Sequence, residues 1–138
     1  MKLTTFTDGG ARGNPGPAAA GVVVKDSTGK ILAAYGEYLG LQTNNYAEYK
    51  ALISALQKAH ELGAVEVDCI LDSELVVKQM RREYRVKEPG LQKLFIEAFN
   101  ASQAFKHVSF RHVLRANNKE ADAQVNKILD FETGMSKR

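Results

Sequence analysis

The stretch FTDGGARGNPGPAAAGVVV, Phe6 to Val24, decides the fold. A strand-like run ends in one carboxylate, a Gly/Pro-rich loop follows, and a nearly unbroken apolar run returns behind it. An apolar run of that kind suits the middle of a sheet. Working outward, residues 2–8 read as a strand, 18–25 as a second and 31–38 as a third, with DSTGK as the hairpin turn between the last two. From Asn45 to Leu62 the apolar positions Tyr49, Leu52, Ile53, Leu56 and Ala59 recur at helical spacing, and Gly63 ends the run. The segment VEVDCIL alternates as a strand, with Val65, Val67, Cys69 and Leu71 on one face. A helix follows from near Ser73 and KEPG breaks the chain. Residues 91–104 then predict a helix, 107–114 the last strand and 118–131 a closing helix carrying Ala121, Val125 and Ile128 in register.

The order βββαβααβα restricts the topology. Hairpins give antiparallel neighbours, whereas strand–helix–strand crossovers are right-handed and give parallel ones. The first strand therefore pairs with the second on one side and the fourth on the other. The expected architecture is an α/β three-layer fold, a five-stranded mixed sheet of order 3-2-1-4-5 with helices on both faces. In such sheets ligands bind beyond the carboxyl ends of the parallel strands, where the chain departs to opposite sides. Asp8 ends the first strand and Asp72 the fourth, so topology alone brings two acids to that crevice.

Two helical acids join them. Glu48 lies four residues before Leu52 and heads the stripe that faces the sheet, and Asp122 precedes Val125 by three. Each acid also has a plain structural reading: Asp8 as a turn residue, Glu48 as the N3 partner of Asn45 in a capping box, Asp72 as a helix cap, Asp122 as a complement to a helix dipole. Four acids from four elements in one crevice would repel one another unless cations lie between them. Carboxylates without His or Cys ligands suit magnesium or manganese rather than zinc. Two such ions about 4 Å apart hold a phosphodiester, activate water and stabilise the leaving oxygen.

With 138 residues, 44% hydrophobic and 25% charged, the chain is expected to form a single domain spanning 1–138. A net charge of +3 mildly favours anionic partners. Cys69 is the only cysteine, which precludes an internal disulfide and suits a reducing compartment. No signal-peptide core or membrane-length apolar run is present, so the expected location is the cytoplasm, with no membrane partner and no organic cofactor. The end TGMSKR reads as frayed polar chain.

The runs FTDGGARGNPGPAAAG, TNNYAEYKALISAL, ILDSELVVKQM, VKEPGL and RANNKEADAQVN resemble those of the ribonuclease H type 1 family in its compact form, in the same order and over nearly the whole chain. The resemblance implies endonucleolytic hydrolysis of the RNA strand of RNA–DNA hybrids, leaving 3′-hydroxyl and 5′-phosphate ends. It places Asp8, Glu48, Asp72 and Asp122 as the catalytic, metal-binding acids, with two Mg²⁺ or Mn²⁺ ions per site, in a chain expected to be monomeric. It also implies substrate contacts at Gly9, Gly10, Asn14, Thr43, Asn44, Asn45, Tyr84 and Asn118, with Thr43 and Asn14 near phosphates. Short neutral groups suit the reading of 2′-hydroxyls in a minor groove. GGARGNPGP also reads as a plain loop, and TNN as a helix start.

Arg81, Arg82, Arg85 and Lys87 stand where they can track the DNA strand or merely form a solvated helix end. Longer members have a basic helix between the positions of Met80 and Leu91 and a loop histidine before the last acid. Here the first is missing, which predicts weaker hybrid binding, and Arg115 is the candidate for the role of the second, with His112 assigned to the strand. Gln124 and Val125 replace a frequent Leu-Ala, which puts the packing of the closing helix in question. The lack of an N-terminal hybrid-binding extension predicts distributive action. The alternative reading is a non-cleaving nucleic-acid-binding domain on the same fold. A haloacid-dehalogenase-type phosphatase would need a second Asp where Gly10 stands.

Overall fold

The structure is a computed structural model describing residues 1–134. The frayed polar end expected from TGMSKR falls, beyond Gly134, outside the described residues. Strands β1 (Lys2–Ala11), β2 (Gly16–Lys25) and β3 (Ile31–Gln42) form the antiparallel meander. Then come α1 (Asn44–Glu61), β4 (Glu66–Leu71), α2 (Glu74–Met80), α3 (Pro89–Ser102), β5 (His107–His112) and α4 (Lys119–Thr133). The sheet order is β3-β2-β1-β4-β5, with β4 parallel to both β1 and β5.

Several boundaries differ from those expected of the sequence, for identifiable reasons. Strand β1 runs three residues beyond Asp8 because β2 still offers it partners: Gly9, Gly10 and Ala11 pair with Ala20, Ala19 and Ala18. The parallel pairing with β4 stops earlier, at Thr7 and Leu71. Asp8 thus lies inside a strand, at the residue where one neighbour departs and the other stays. Strand β3 also extends to Gln42, and Gly40 beside its irregularity at Ala18/Ala19 takes a φ of 76°. Val65 is 47% exposed and precedes β4, so it leaves the expected face, while Ile70 joins Val67, Cys69 and Leu71 in the interior. The KEPG break is also a start signal. Pro89 occupies the first turn of α3, where its missing N–H has no helical partner to lose. The last strand ends at His112, two residues before the expected limit.

The main core lies on the α1 face. The stripe Tyr49, Leu52, Ile53, Leu56 and Ala59 is buried against Val22, Val24, Leu3, Val67 and Cys69 and is closed by α2 and α3. Burying each large aliphatic side chain of this stripe contributes about 1.5–3 kcal/mol. Among the described residues the opposite face is covered by α4, through Val125 and Leu129 on Ala19 with Ile128 beside them. This contact is close because two glycines of the sheet leave room beneath the helix. Asp8, Gly21 and Gly36 stand side by side across β1, β2 and β3. A methyl group at Gly21 would collide with the Ala121 carbonyl of α4, and one at Gly36 with Ile128 and the Gln124 carbonyl. Gln124 is half-buried over this trough rather than turned to solvent, its Cβ lying near Gly21, so the substitution for Leu leaves the helix seated.

Candidate active site

Four elements carry one acid each to the crevice between β1 and β4. Asp8 projects from β1 where β4 diverges, and Asp72 follows the last residue of β4. Asp72 does not cap α2: Ser73 does, its hydroxyl accepting a hydrogen bond from the Val76 N–H at 3.2 Å. Glu48 is likewise no capping-box partner. Thr43 is the N-cap of α1, accepting from Tyr46 N–H at 3.2 Å, which leaves the Glu48 carboxylate to turn toward β1. Its Oε1 accepts the Gly9 N–H at 3.1 Å, and its Oε2 is buried without a partner among the described residues. Gly9 is what lets α1 come this near, since any side chain there would run into the Ala47–Glu48 peptide.

Carboxylate oxygens of Asp8, Glu48 and Asp72 lie within 4.8 Å of one another. Asp8 and Glu48 are buried, at 7% and 8% exposure, and Asp72 is half-buried. Asp122, in the first turn of α4, lines the rim of the same cleft. Burial, followed by the charge of Asp72 and the nearness of the Asp122 carboxyl, pushes Asp8 up from 3.8 to about 7. Burial and the charges of Asp8 and Asp72 hold Glu48 well above the ordinary glutamate range, against the opposing pull of the Gly9 N–H. Such shifts cluster where a fold concentrates charge for chemistry.

The Arg115 guanidinium faces this group. Arg115, in a single 3₁₀ turn (Arg115–Asn117), donates from Nη2 to Asp122 Oδ1 at 3.3 Å. Asp122 raises the pKa of this guanidinium further, while its side chain stays 78% exposed. Asn126 Nδ2 donates to the other Asp122 oxygen at 3.2 Å. The cleft holds about 580 Å³ and is lined by the four acids, Gly9, Gly10, Arg12, Asn44 and Arg115, among others. Arg12, not singled out in the sequence, donates to Asp130 and Thr133 and so joins the glycine loop to the end of α4.

The expected substrate residues separate into three groups. Asn44 lines the cleft and Asn14 lies beside it: Asn14 Oδ1 accepts the Asn44 N–H at 2.9 Å and Asn44 Oδ1 accepts the Ala11 N–H at 2.8 Å. Exposed Thr43 and half-buried Asn45 flank them. Tyr84 belongs to another recess, with Arg82, Arg85 and Phe95, under the Lys78 ammonium at 5.1 Å from its ring. Arg81 and Arg82 follow α2 there, Arg82 exposed, and no helix intervenes between Met80 and Pro89. Asn118 departs from expectation. It is 2% exposed and donates to the Thr7 carbonyl at 2.7 Å, so it faces the interior and has no surface to offer a substrate. Its orientation could not be read from a motif in which asparagine is equally good as a helix cap.

A cluster of acids at the point where β1 and β4 part, closed by a helix seated on glycine, defines the ribonuclease H-like class of α/β domain. The reverse transcriptase-like family model matches residues 6–128. The chain is 42% identical over 131 residues to the bifunctional protein Rv2228c of Mycobacterium tuberculosis, covering 94% of this chain and 36% of that protein. It is 40% identical over 129 residues to ribonuclease HI of Halobacterium salinarum, covering 94% and 65%. Among solved structures, RNase H1 of Halobacterium salinarum superposes with a TM-score of 0.92 at 40% identity, covering 94% of this chain and 98% of that one. LC11-RNase H1, solved in complex with an RNA/DNA hybrid, gives 0.90 at 41%, covering 95% and 99%. The chain belongs to the reverse transcriptase-like family and, within it, to ribonuclease H type 1. It spans 36% of the length of the mycobacterial relatives it matches.

Proposed function

We propose that this chain is a divalent-metal-dependent endonuclease that hydrolyses the RNA strand of RNA–DNA hybrids, leaving 3′-hydroxyl and 5′-phosphate ends. The observation that carries the proposal is the convergence of Asp8, Glu48 and Asp72, the first two buried and the third half-buried, with one Glu48 oxygen unpartnered among the described residues. Hard oxygen donors converging in a pocket that Arg115 reaches only at its rim fit magnesium or manganese. Asp8, Glu48 and Asp72 would hold the ions, with Asp122 beside them; when bound, these ions supply an activated water and stabilise charge on the leaving oxygen. Arg115 keeps its positive charge across the working pH range, and its guanidinium, paired with Asp122 yet 78% exposed, is open to a phosphate. Asn14 and Asn44 each spend their carbonyl oxygen on backbone, which leaves the NH₂ groups as donors toward a ribose or phosphate. Minor-groove 2′-hydroxyls are the feature by which such donors distinguish RNA from DNA.

All four acids come from one chain, which supports a monomeric catalytic unit of one domain. Cys69 is buried, with its thiol pushed up to about 12 by burial, in keeping with a reducing compartment such as the cytoplasm. No helix among the described residues is long and apolar enough to cross a membrane. The test is a cleavage assay on a labelled hybrid, duplex DNA and duplex RNA across a titration of magnesium and of manganese. Cutting of the hybrid's RNA strand alone, dependent on metal, is expected; binding without cleavage at every concentration would replace this reading with that of a binding module.

A further inference from the structure

Asn118 occupies the N-cap of α4, yet its side chain makes no capping hydrogen bond. An asparagine there ordinarily turns its carbonyl oxygen back onto the helix's own free N–H groups, and losing that bond typically weakens the helix. Here the carboxamide is turned inward. Nδ2 donates 2.7 Å to the carbonyl of Thr7, and Oδ1 is buried without a partner among the described residues. Both the cap and one buried acceptor are given up for a single hydrogen bond.

The position of that bond is informative. Thr7 immediately precedes Asp8, and it is the last residue of β1 to pair with β4. At the other end, the Asn118 carbonyl accepts the N–H of Asp122 at 3.1 Å as the first hydrogen bond of α4. One residue therefore contacts, on one side, the peptide leading into Asp8 and, on the other, the backbone of Asp122. Arg12 fastens the far end of the helix, through Asp130 and Thr133, whereas Asn118 ties its start to β1. The glycine trough beneath α4 sets how near the helix comes to the sheet.

We propose that Asn118 is a positioning residue, whose inward carboxamide fixes the separation of Asp122 from Asp8 and thereby the geometry in which these acids receive a divalent ion. The inference rests on the metal-binding reading of the acids. Residues that orient ligands from behind change metal affinity or activity by about 10–100-fold when replaced.

Two variants separate this role from simple support of the fold. In Asn118→Ser the helix keeps a good N-cap, but the hydroxyl is too short to reach Thr7. In Asn118→Asp shape and capping ability are kept, but the donor is lost. Leu94→Ala, in the core on α3, serves as a destabilised control with the acids and Asn118 intact. The probe is Mn²⁺ alone, followed by electron paramagnetic resonance of the free ion and by the metal-induced rise in melting temperature. Both Asn118 variants should bind Mn²⁺ about 10-fold more weakly than the wild type, with the hybrid-binding affinity in chelator unchanged, while Leu94→Ala melts lower but binds the ion as before. If the Asn118 variants melt lower yet bind Mn²⁺ like the wild type, the residue is only structural and the proposal is overturned. If the wild type itself binds no Mn²⁺, the metal reading of the acids fails instead. Should Asn118→Asp fail to fold, Asn118→Ser alone decides between these outcomes.

Discussion

Replacing Asp8 by Asn should make the metal-free protein more stable while abolishing its activity, and the size of the gain follows from the charge it removes. Asp8 is raised from 3.8 to about 7, chiefly by burial and then by Asp72 and Asp122. A carboxyl group whose folded pKa is raised holds its proton more tightly in the folded state than in the unfolded chain. Its contribution to stability is complete below about pH 4 and is lost as the pH climbs through about 7. The interval from 3.8 to about 7 corresponds to about 4 kcal/mol at most. Because Asp72 and Asp122 are only half-buried, water weakens part of the repulsion, and about 2–4 kcal/mol is the expected range. For a chain of this length that is roughly 5–15 °C in melting temperature. Asp8→Asn keeps the shape of the side chain and loses only the charge. Thermal unfolding in chelator should show the variant well above the wild type at about pH 8 and level with it near pH 4. Saturating magnesium at the higher pH should narrow or reverse the difference, because only the wild type gains from the ion. An equal gain at both pH values, or a loss at the higher one, would show that the acids do not strain the metal-free fold.

Gly21→Ala should destabilise the protein by about 1–3 kcal/mol through the clash with the Ala121 carbonyl and weaken cleavage more than stability alone requires, measured by unfolding and by hybrid turnover in parallel. Arg115→Ala should slow turnover by about 10–100-fold with little change in melting temperature, since its side chain is 78% exposed; wild-type rates would remove it from the reaction. Tyr49→Phe should lower stability by about 1–2 kcal/mol, because the tyrosine hydroxyl donates to buried Gln79 Oε1, and leave kcat on the hybrid unchanged.

The element order and the sheet order were legible because they depend on periodicity and on connection rules that operate within one chain segment at a time. So was the convergence of the four acids on one crevice, since Asp8 and Asp72 each follow the last paired residues of β1 and β4 and Glu48 heads an apolar stripe. The roles of Glu48 and Asp72 were not decided by spacing. Asn45 and Asp72 are good caps by type, and only the placement of Thr43 and Ser73 at the actual helix starts excluded them. Asn118 failed for the complementary reason: residue type indicates that an amide makes hydrogen bonds, but which way it turns depends on a carbonyl 111 positions away.

The least visible determinants were the glycines. Gly21 sits within an apolar strand and Gly36 within an alternating one, where each weakens the strand and adds nothing to the core. Their register beside Asp8 explains the expense. An acid at the rim must approach a buried acid against electrostatic repulsion, so the helix carrying it has to be held down by packing. A surface with side chains beneath α4 would hold the helix farther off, and the repulsion would then be relieved by separation rather than by an ion. Two glycines in line with Asp8 prevent that retreat, which makes the trough as much a part of the acid cluster as Glu48. On this reasoning a Gly36→Ala variant, whose clash is with the Ile128 side chain and the Gln124 carbonyl, should lower Mn²⁺ affinity along with stability, and an additional Ile128→Ala change that removes the clashing Cγ1 should recover part of both. Recovery of stability with no recovery of ion binding would show that the trough supports the fold without shaping the site.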